Sequence, residues 1–137
     1  MAKRPEDLAA AEHDINDFFN DFVRAFCTFD GTQIAARYYS PCVALRANGS
    51  IDVMPSRQEI ETVFEAAVEG YHREGCRGIR FKDLDVVPMG ERAVLGTVTW
   101  ELLREDGTVL RQWRQSYNLV HVDTRWMVFA STHHIVE

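Results

Sequence analysis

The chain has 137 residues, 46% of them hydrophobic and 26% charged, the make-up of one folded soluble domain over residues 1–137 with a real core. Fifteen Lys and Arg against 21 Asp and Glu leave a net charge of −6, which disfavours nucleic acid and anionic membrane surfaces. No apolar run approaches the ~18 residues of a membrane span, and the polar start leads into no signal-peptide core. Cys27, Cys42 and Cys76 are odd in number, far apart and without a CxxC pair, so reduced thiols in a cytoplasm are expected.

The first half reads as helices. Ile15, Phe18, Phe19, Phe22, Val23 and Phe26 recur at i, i+3, i+4, i+7, i+8 and i+11, one apolar stripe on a long helix. Pro5, with Glu6 and Asp7 behind it, suits the first turn, where the missing N–H costs nothing and acids meet the positive helix end. Asp14, Asp17 and Asp21 fall on the solvated side. Asp30 is placed to cap a short second helix whose inner side carries Ile34, Ala35, Tyr38 and Tyr39, ending at Ser40-Pro41. Two short strands follow over residues 42–47 and 50–54, with Asn48-Gly49 between them as a type I′ turn. Ser56-Arg57-Gln58-Glu59 is a capping box opening a third helix, on which Ile60, Val63, Phe64, Ala67, Val68 and Tyr71 repeat the stripe.

The second half reads as strands over residues 79–88, 92–104, 108–122 and 125–134. Its tight turns, at residues 89–91, Asp106-Gly107 and Asp123-Thr124, make neighbours antiparallel. The expected architecture is α+β: three N-terminal helices packed on a curved antiparallel sheet, leaving a cone-shaped cavity. Two-residue turns fix a register that pairs Trp100 with Trp113, Thr97 with Ser116, Asn118 with Phe129 and Arg114 with His133. One face then carries Val98, Trp100, Trp113, Tyr117, Leu119 and Val128. The other carries Thr97, Thr99, Arg114, Ser116, Asn118, Phe129, Ser131 and His133. Periodicity does not say which face is inner.

The element order resembles the NTF2-like superfamily, in particular its SnoaL-like and ketosteroid-isomerase-like members with their cystatin-like fold. The local phrases that carry the resemblance are Phe22–Phe26 followed by Phe29-Asp30-Gly31, Tyr38-Tyr39-Ser40-Pro41, Asn48-Gly49, Ser56–Ile60, Gly96 to Trp100 and Arg125-Trp126-Met127-Val128. The superfold hosts isomerases, cyclases, dehydratases, binding proteins and association domains. By the resemblance, the isomerase's oxyanion tyrosine falls near Val23, its base near Ala47 and its buried acid on Asn118. The tyrosine and the base are missing, which removes that isomerase reaction. Asn118 at the position of a cavity-facing acid makes the mixed face the inner one, apolar at one end and polar at the other.

The expected ligand site is therefore Arg114, Ser116, Asn118, Thr97, Phe129, Ser131 and His133, roofed by Phe19, Val23 and Tyr38. Arg114, His133 and Asn118 are the candidates for chemistry. An Arg fork would bind a carboxylate or enolate-like oxygen, and an imidazole beside it would move a proton. The alternative is structural: Arg114 paired with Glu101 across the sheet, and His133 hydrogen-bonded at a strand end. His133-His134 is no metal pair, because adjacent strand residues face opposite ways, and no metal or other cofactor is expected. Arg46 belongs either to the cavity mouth or to solvent.

The function implied is a SnoaL-like protein binding a compact organic molecule, with cofactor-free lyase or isomerase chemistry. The alternative is an association module of the same fold, as in calcium/calmodulin-kinase association domains. Trp100, Trp113 and Tyr117, assigned to the outer face, are expected to form a homodimer interface.

Overall fold

The computed structural model describes residues 5–137; residues 1–4, part of the polar start, lie outside the described residues, as do the side chains of Pro5 and Glu6. The apolar stripe of the first helix is realised in α1 (Pro5–Phe26), which buries Ile15, Phe18, Phe19, Phe22 and Phe26. Each such side chain contributes roughly 1.5–3 kcal/mol when fully buried. The acids of the opposite side are not all free in solvent: Asp21 takes a two-pronged contact from Arg37, at 2.8 and 3.1 Å. Asp30 caps α2 (Gly31–Ala35) by accepting from the Thr32 N–H at 2.9 Å.

The second helix is shorter than its sequence suggests. It stops at Ala35, and Tyr38 and Tyr39 open strand β1 (Tyr38–Leu45) instead of closing the helix. The sheet draws the chain out: Val128 N–H donates to the Arg37 carbonyl at 3.0 Å, and Tyr38 pairs with Val128. Tertiary pairing overrides a helical reading of two residues that favour strands in any case.

β1 turns back into β2 (Ile51–Met54) through a three-residue loop, not a two-residue one. The Arg46 N–H donates to the Ser50 carbonyl at 2.8 Å and the Gly49 N–H to the Arg46 carbonyl at 2.9 Å; of the loop residues Gly49 alone has positive φ, 86°. This is a type I turn closed by a glycine bulge. α3 (Arg57–Glu74) starts on the Ser56 hydroxyl, which accepts from the Glu59 N–H, and ends on Gly75 at φ 107°. Strands β3 (Gly78–Pro88), β4 (Ala93–Leu103), β5 (Val109–Val122) and β6 (Arg125–His133) complete one curved, open six-stranded sheet in the order β2-β1-β6-β5-β4-β3. All neighbours are antiparallel except β1 and β6, which are parallel.

Bulges decide which side chains face the helices. Trp100 pairs with Trp113 as expected, but through two departures that cancel. The turn after β4 is a three-residue loop closing Arg104 on Thr108, and a bulge at Leu110 then restores the register. On β6 nothing cancels. Val128 lies opposite Leu119 and Ala130 opposite Asn118, so Phe129 is an extra residue. Beyond it His133 pairs with Gln115, not with Arg114, and Ser131 with Tyr117. One inserted residue exchanges the faces of everything after it.

The helices cover the face of Val98, Trp100, Tyr117, Leu119 and Val128, all fully or almost fully buried. Phe19 and Phe22 of α1 meet Trp100 at ring-centroid distances of 5.9 and 5.4 Å, and Tyr117 at 5.4 and 6.2 Å. This is the concave face. The mixed face expected to be inner is the convex one.

Candidate functional site

Between α3, the inner end of α1 and the concave sheet lies a cavity of about 360 Å³. Its walls come from the apolar stripe of α3 (Val63, Phe64, Ala67, Tyr71), from Phe22 and Phe26 of α1, from Tyr38 and Ala44 of β1, and from Trp100, Trp113 and Tyr117. The Tyr38 ring packs against Phe64 with centroids 4.6 Å apart and planes tilted by 41°. α3 meets the strands at the cavity's edges, through Phe64 on Tyr38 and Tyr71 near Trp113, while α1 packs on them through Phe19 and Phe22.

Polar groups enter from two directions. At the rim stand Arg46, Glu74 and Arg111, all about half exposed; Arg111 binds Glu74 at 2.8 Å and Arg46 binds Asp52 at 2.7 Å. Arg46 thus belongs to the mouth. The Arg111 guanidinium also lies 5.9 Å from the Tyr71 ring centroid, within cation–π range. Farther in, His133 lies flat on Trp113, centroids 5.7 Å apart and planes 14° from parallel. Trp113 donates its indole N–H to Gln115 Oε1 at 2.8 Å, which leaves the Gln115 amide hydrogens for other partners.

Burial lowers the His133 pKa below its ordinary value, and the charges of His134 and Arg111 lower it further. His133 is therefore a neutral imidazole at neutral pH, able to accept a proton. Burial moves the Tyr38 and Tyr117 hydroxyls the other way, well above their ordinary value, so both remain O–H groups. The buried Cys42 thiol is pushed up to about 11 by burial, so it is not a thiolate nucleophile. All three cysteines are free thiols.

Of the residues expected at the site, Tyr38, Ser131 and His133 come together on the cavity wall. Phe19 lies beneath it in the core, fully buried against Trp100, Tyr117 and Phe81, and Val23 packs at the core's edge; neither lines the cavity. Thr97, Arg114, Ser116 and Asn118 are corrected to the convex face, because α1 and α3 cover the opposite side of β4 and β5. Phe129, the bulge residue, is 36% exposed. Arg114 is held by Asp85 at 2.7 Å, the Asp83 carbonyl at 2.9 Å and Thr99 Oγ1 at 3.1 Å, not by Glu101, which pairs with Arg80 and Lys82. Ser116 joins Thr97 at 2.8 Å and His134 Nε2 at 2.7 Å, a polar ladder on the open side of the sheet.

The interface expected across Trp100, Trp113 and Tyr117 is corrected by the same finding. Trp100 and Tyr117 are 1% and 3% exposed under the helices, so no second copy seats on them. Exposed apolar side chains stand instead on the convex side and its edges, Ile51 at 65% and Val53 at 69% among them. The expected site, drawn on the opposite face of the sheet, does not include the cavity residues Trp113, Gln115 and Arg111. The signal was present in the helix stripes, whose aromatic content matches the aromatic sheet face.

A family model described as NTF2-like protein (DUF6841) matches residues 11–135. The chain belongs to this NTF2-like family. No curated protein matches it. Among solved structures, this NTF2-like chain is similar to Aln2 from a Streptomyces species (TM-score 0.75, 17% identity, 98% of this chain and 94% of that one). It is also similar to a proposed scytalone dehydratase from Novosphingobium aromaticivorans (0.72, 13%, 98% and 89%). A third is a proposed calcium/calmodulin dependent protein kinase II association domain from Xanthomonas campestris (0.66, 17%, 88% and 85%). At these identities the likeness is one of fold: α helices on a curved, open sheet. No helix among the described residues is long and apolar enough to cross a membrane.

Proposed function

We propose that this NTF2-like protein binds a compact, largely flat organic molecule in the cavity between α3 and the concave sheet. The observation that carries the reading is the cavity itself: about 360 Å³, walled by aromatic rings and reached by a few polar groups. Protein interiors close to near-crystalline density, and unfilled space lined by large side chains costs stability. A cavity of this size falls in the range of small-molecule sites, where apolar walls supply affinity and isolated polar groups supply orientation.

His133 gives the site a proton acceptor at neutral pH, its ring oriented by the stack on Trp113. The reading therefore extends to proton-transfer chemistry, a lyase or isomerase step on the bound molecule with His133 moving the proton. Relatives of this fold carrying a dehydratase name support it at the level of fold alone. The alternative is an association module, favoured by the exposed Ile51, Val53 and Val87 on the sheet's outer side and by the association-domain likeness.

A thermal-shift screen against a metabolite library separates the two. A ligand at 100 times its dissociation constant adds about 2.7 kcal/mol of stability, a shift of several degrees. Hits that lose their shift in Trp113→Ala support the cavity reading. A library without hits, together with a concentration-independent oligomer in sedimentation, supports association and overturns it.

A further inference from the structure

One indole holds two polar groups of the cavity in place. His133 lies flat on the Trp113 ring, planes 14° from parallel, and the Trp113 N–H donates to Gln115 Oε1 at 2.8 Å. Trp113 is itself backed by Tyr71, ring centroids 6.2 Å apart. Gln115 and His133 are direct cross-strand partners on β5 and β6, so their side chains leave the sheet next to one another. Both line the cavity.

The hydrogen-bonding capacity they leave unused is of opposite kinds. An indole N–H only donates, so the Gln115 atom it meets is the oxygen, and the amide NH₂ is left to donate elsewhere. Among the described residues nothing accepts those hydrogens, and nothing bonds either ring nitrogen of His133. Among those residues, too, no side-chain nitrogen that is shut off from the surface lacks a partner, so these nitrogens are accessible. The neutral imidazole keeps a lone pair on one nitrogen, which makes it the strongest uncharged base on the cavity wall. A group that gives a hydrogen therefore stands beside one that takes a hydrogen.

The complement of that pair is an acceptor beside a donor. A carboxylate offers acceptors only, and the arginines of the cavity are engaged at the rim by Asp52 and Glu74. An ester or lactone also offers acceptors only. A cyclic amide carries C=O and N–H on adjacent atoms in the plane of a flat ring, a shape that aromatic walls admit.

We infer that Gln115 and His133 form a recognition pair for the N–H/C=O edge of a flat cyclic amide, Gln115 donating to the carbonyl oxygen and His133 accepting from the ring N–H. This rests on the reading of the cavity as a ligand site. Specificity lies in the N–H: a lactone of the same outline turns a ring oxygen towards the imidazole lone pair, acceptor against acceptor. Trp113 is the positioning residue for both members of the pair.

The test compares 2-quinolone with coumarin, flat bicycles of one outline in which the ring N–H of the first is a ring oxygen in the second. Each is titrated into ¹⁵N-labelled protein and followed through the Trp113 indole N–H signal, assigned with Trp113→Phe. The expected result is 2-quinolone binding roughly tenfold tighter than coumarin, the loss of one hydrogen bond. His133→Phe keeps a flat ring on Trp113 without the acceptor, so the preference falls to about one while coumarin binds as in wild type. Gln115→Met weakens both molecules, since each loses the bond to its carbonyl. Equal affinities in wild type, or a tenfold preference that survives His133→Phe, with the Trp113 signal moving for both probes, would overturn the pair and leave the cavity reading standing. No movement of the Trp113 signal with either probe up to its solubility would overturn both.

Discussion

Replacing Gly31 with alanine tests the packing that holds the floor of the cavity in place. Gly31 opens α2 where that helix meets α3 backbone to backbone. A Cβ built there would lie 2.4 Å from the Glu65 nitrogen and 2.7 Å from its Cα, against an ordinary contact of 3.4 Å or more. Relieving the clash needs a movement of about 1 Å, from 2.4 to 3.4 Å, between two backbones that cannot swing aside as a side chain would. The same movement stretches the Gly31 N–H to Glu65 Oε2 bond, now 2.8 Å, out of hydrogen-bonding range. A hydrogen bond to a charged group is worth roughly 1.5–3 kcal/mol and overpacking typically costs about 1–3 kcal/mol, while alanine returns at most ~1 kcal/mol of helix preference. The expected net loss is about 1.5–5 kcal/mol, read as a lower urea midpoint at unchanged slope. Ile34, three residues along α2, lines the cavity, so the variant also weakens any cavity ligand. A midpoint within 0.5 kcal/mol of wild type, taken as roughly the limit of the method, would refute the close approach of α2 to α3.

Asp30→Ala and Ser56→Ala each remove a helix N-cap and lower stability by about 1 kcal/mol, checked by denaturant midpoints. His133 gives a pH dependence of known sign. Its folded-state pKa lies below that of the unfolded chain, so the unfolded state binds the proton first; the stability is fully present above about pH 6.5 and falls as pH drops below it, until the folded imidazole protonates too. Urea stability measured at pH 7.5 and 5.5 falls less in His133→Phe than in wild type; an identical fall would mean that His133 is not shielded by Trp113. Trp113→Asp leaves the sedimentation coefficient as in wild type, since Trp113 faces the cavity, and a change of oligomeric state in that variant alone would contradict the concave placement.

The fold was legible in the chain because its signals are redundant. The Ile15-to-Phe26 stripe, the Ser56 cap and the Asp106-Gly107 and Asp123-Thr124 turns all point to helices laid on a strand meander, and the family match agrees. The site was legible only in part, for two reasons, and the first is one residue. Period-two reading carries a face assignment down a strand without error until a bulge intervenes, and Phe129 has no Gly, Pro or charge to mark it as the extra residue. Period two alone puts Ser131 and His133 on the same face as Arg114 and Asn118, from which the bulge separates them. The second is the inner face, which the Asn118 resemblance assigns wrongly and a simpler argument assigns correctly. Two phenylalanine-rich helix stripes bury best against the sheet face that carries Trp100, Trp113 and Tyr117, while Arg114 and Ser116 find partners in Asp85, Thr97 and His134 without help from the helices. The second helix stops at Ala35, short of Tyr38 and Tyr39, because Tyr38 pairs with the distant Val128, which no local pattern announces.

The central claim is that the ligand lies on the concave face, and a pair of variants tests it most directly. For any molecule that raises the melting temperature in the library screen, the dissociation constant is measured by calorimetry in wild type, Trp113→Ala and Arg114→Ala. Trp113 lines the cavity, and losing a large buried contact surface costs roughly 2 kcal/mol, about thirtyfold in affinity. Arg114 points away from the cavity and is engaged by Asp85, so its loss leaves affinity within twofold of wild type, a margin of about 0.4 kcal/mol. The reverse pattern, binding lost with Arg114→Ala and kept with Trp113→Ala, would contradict the account and put the ligand on the convex side of the sheet.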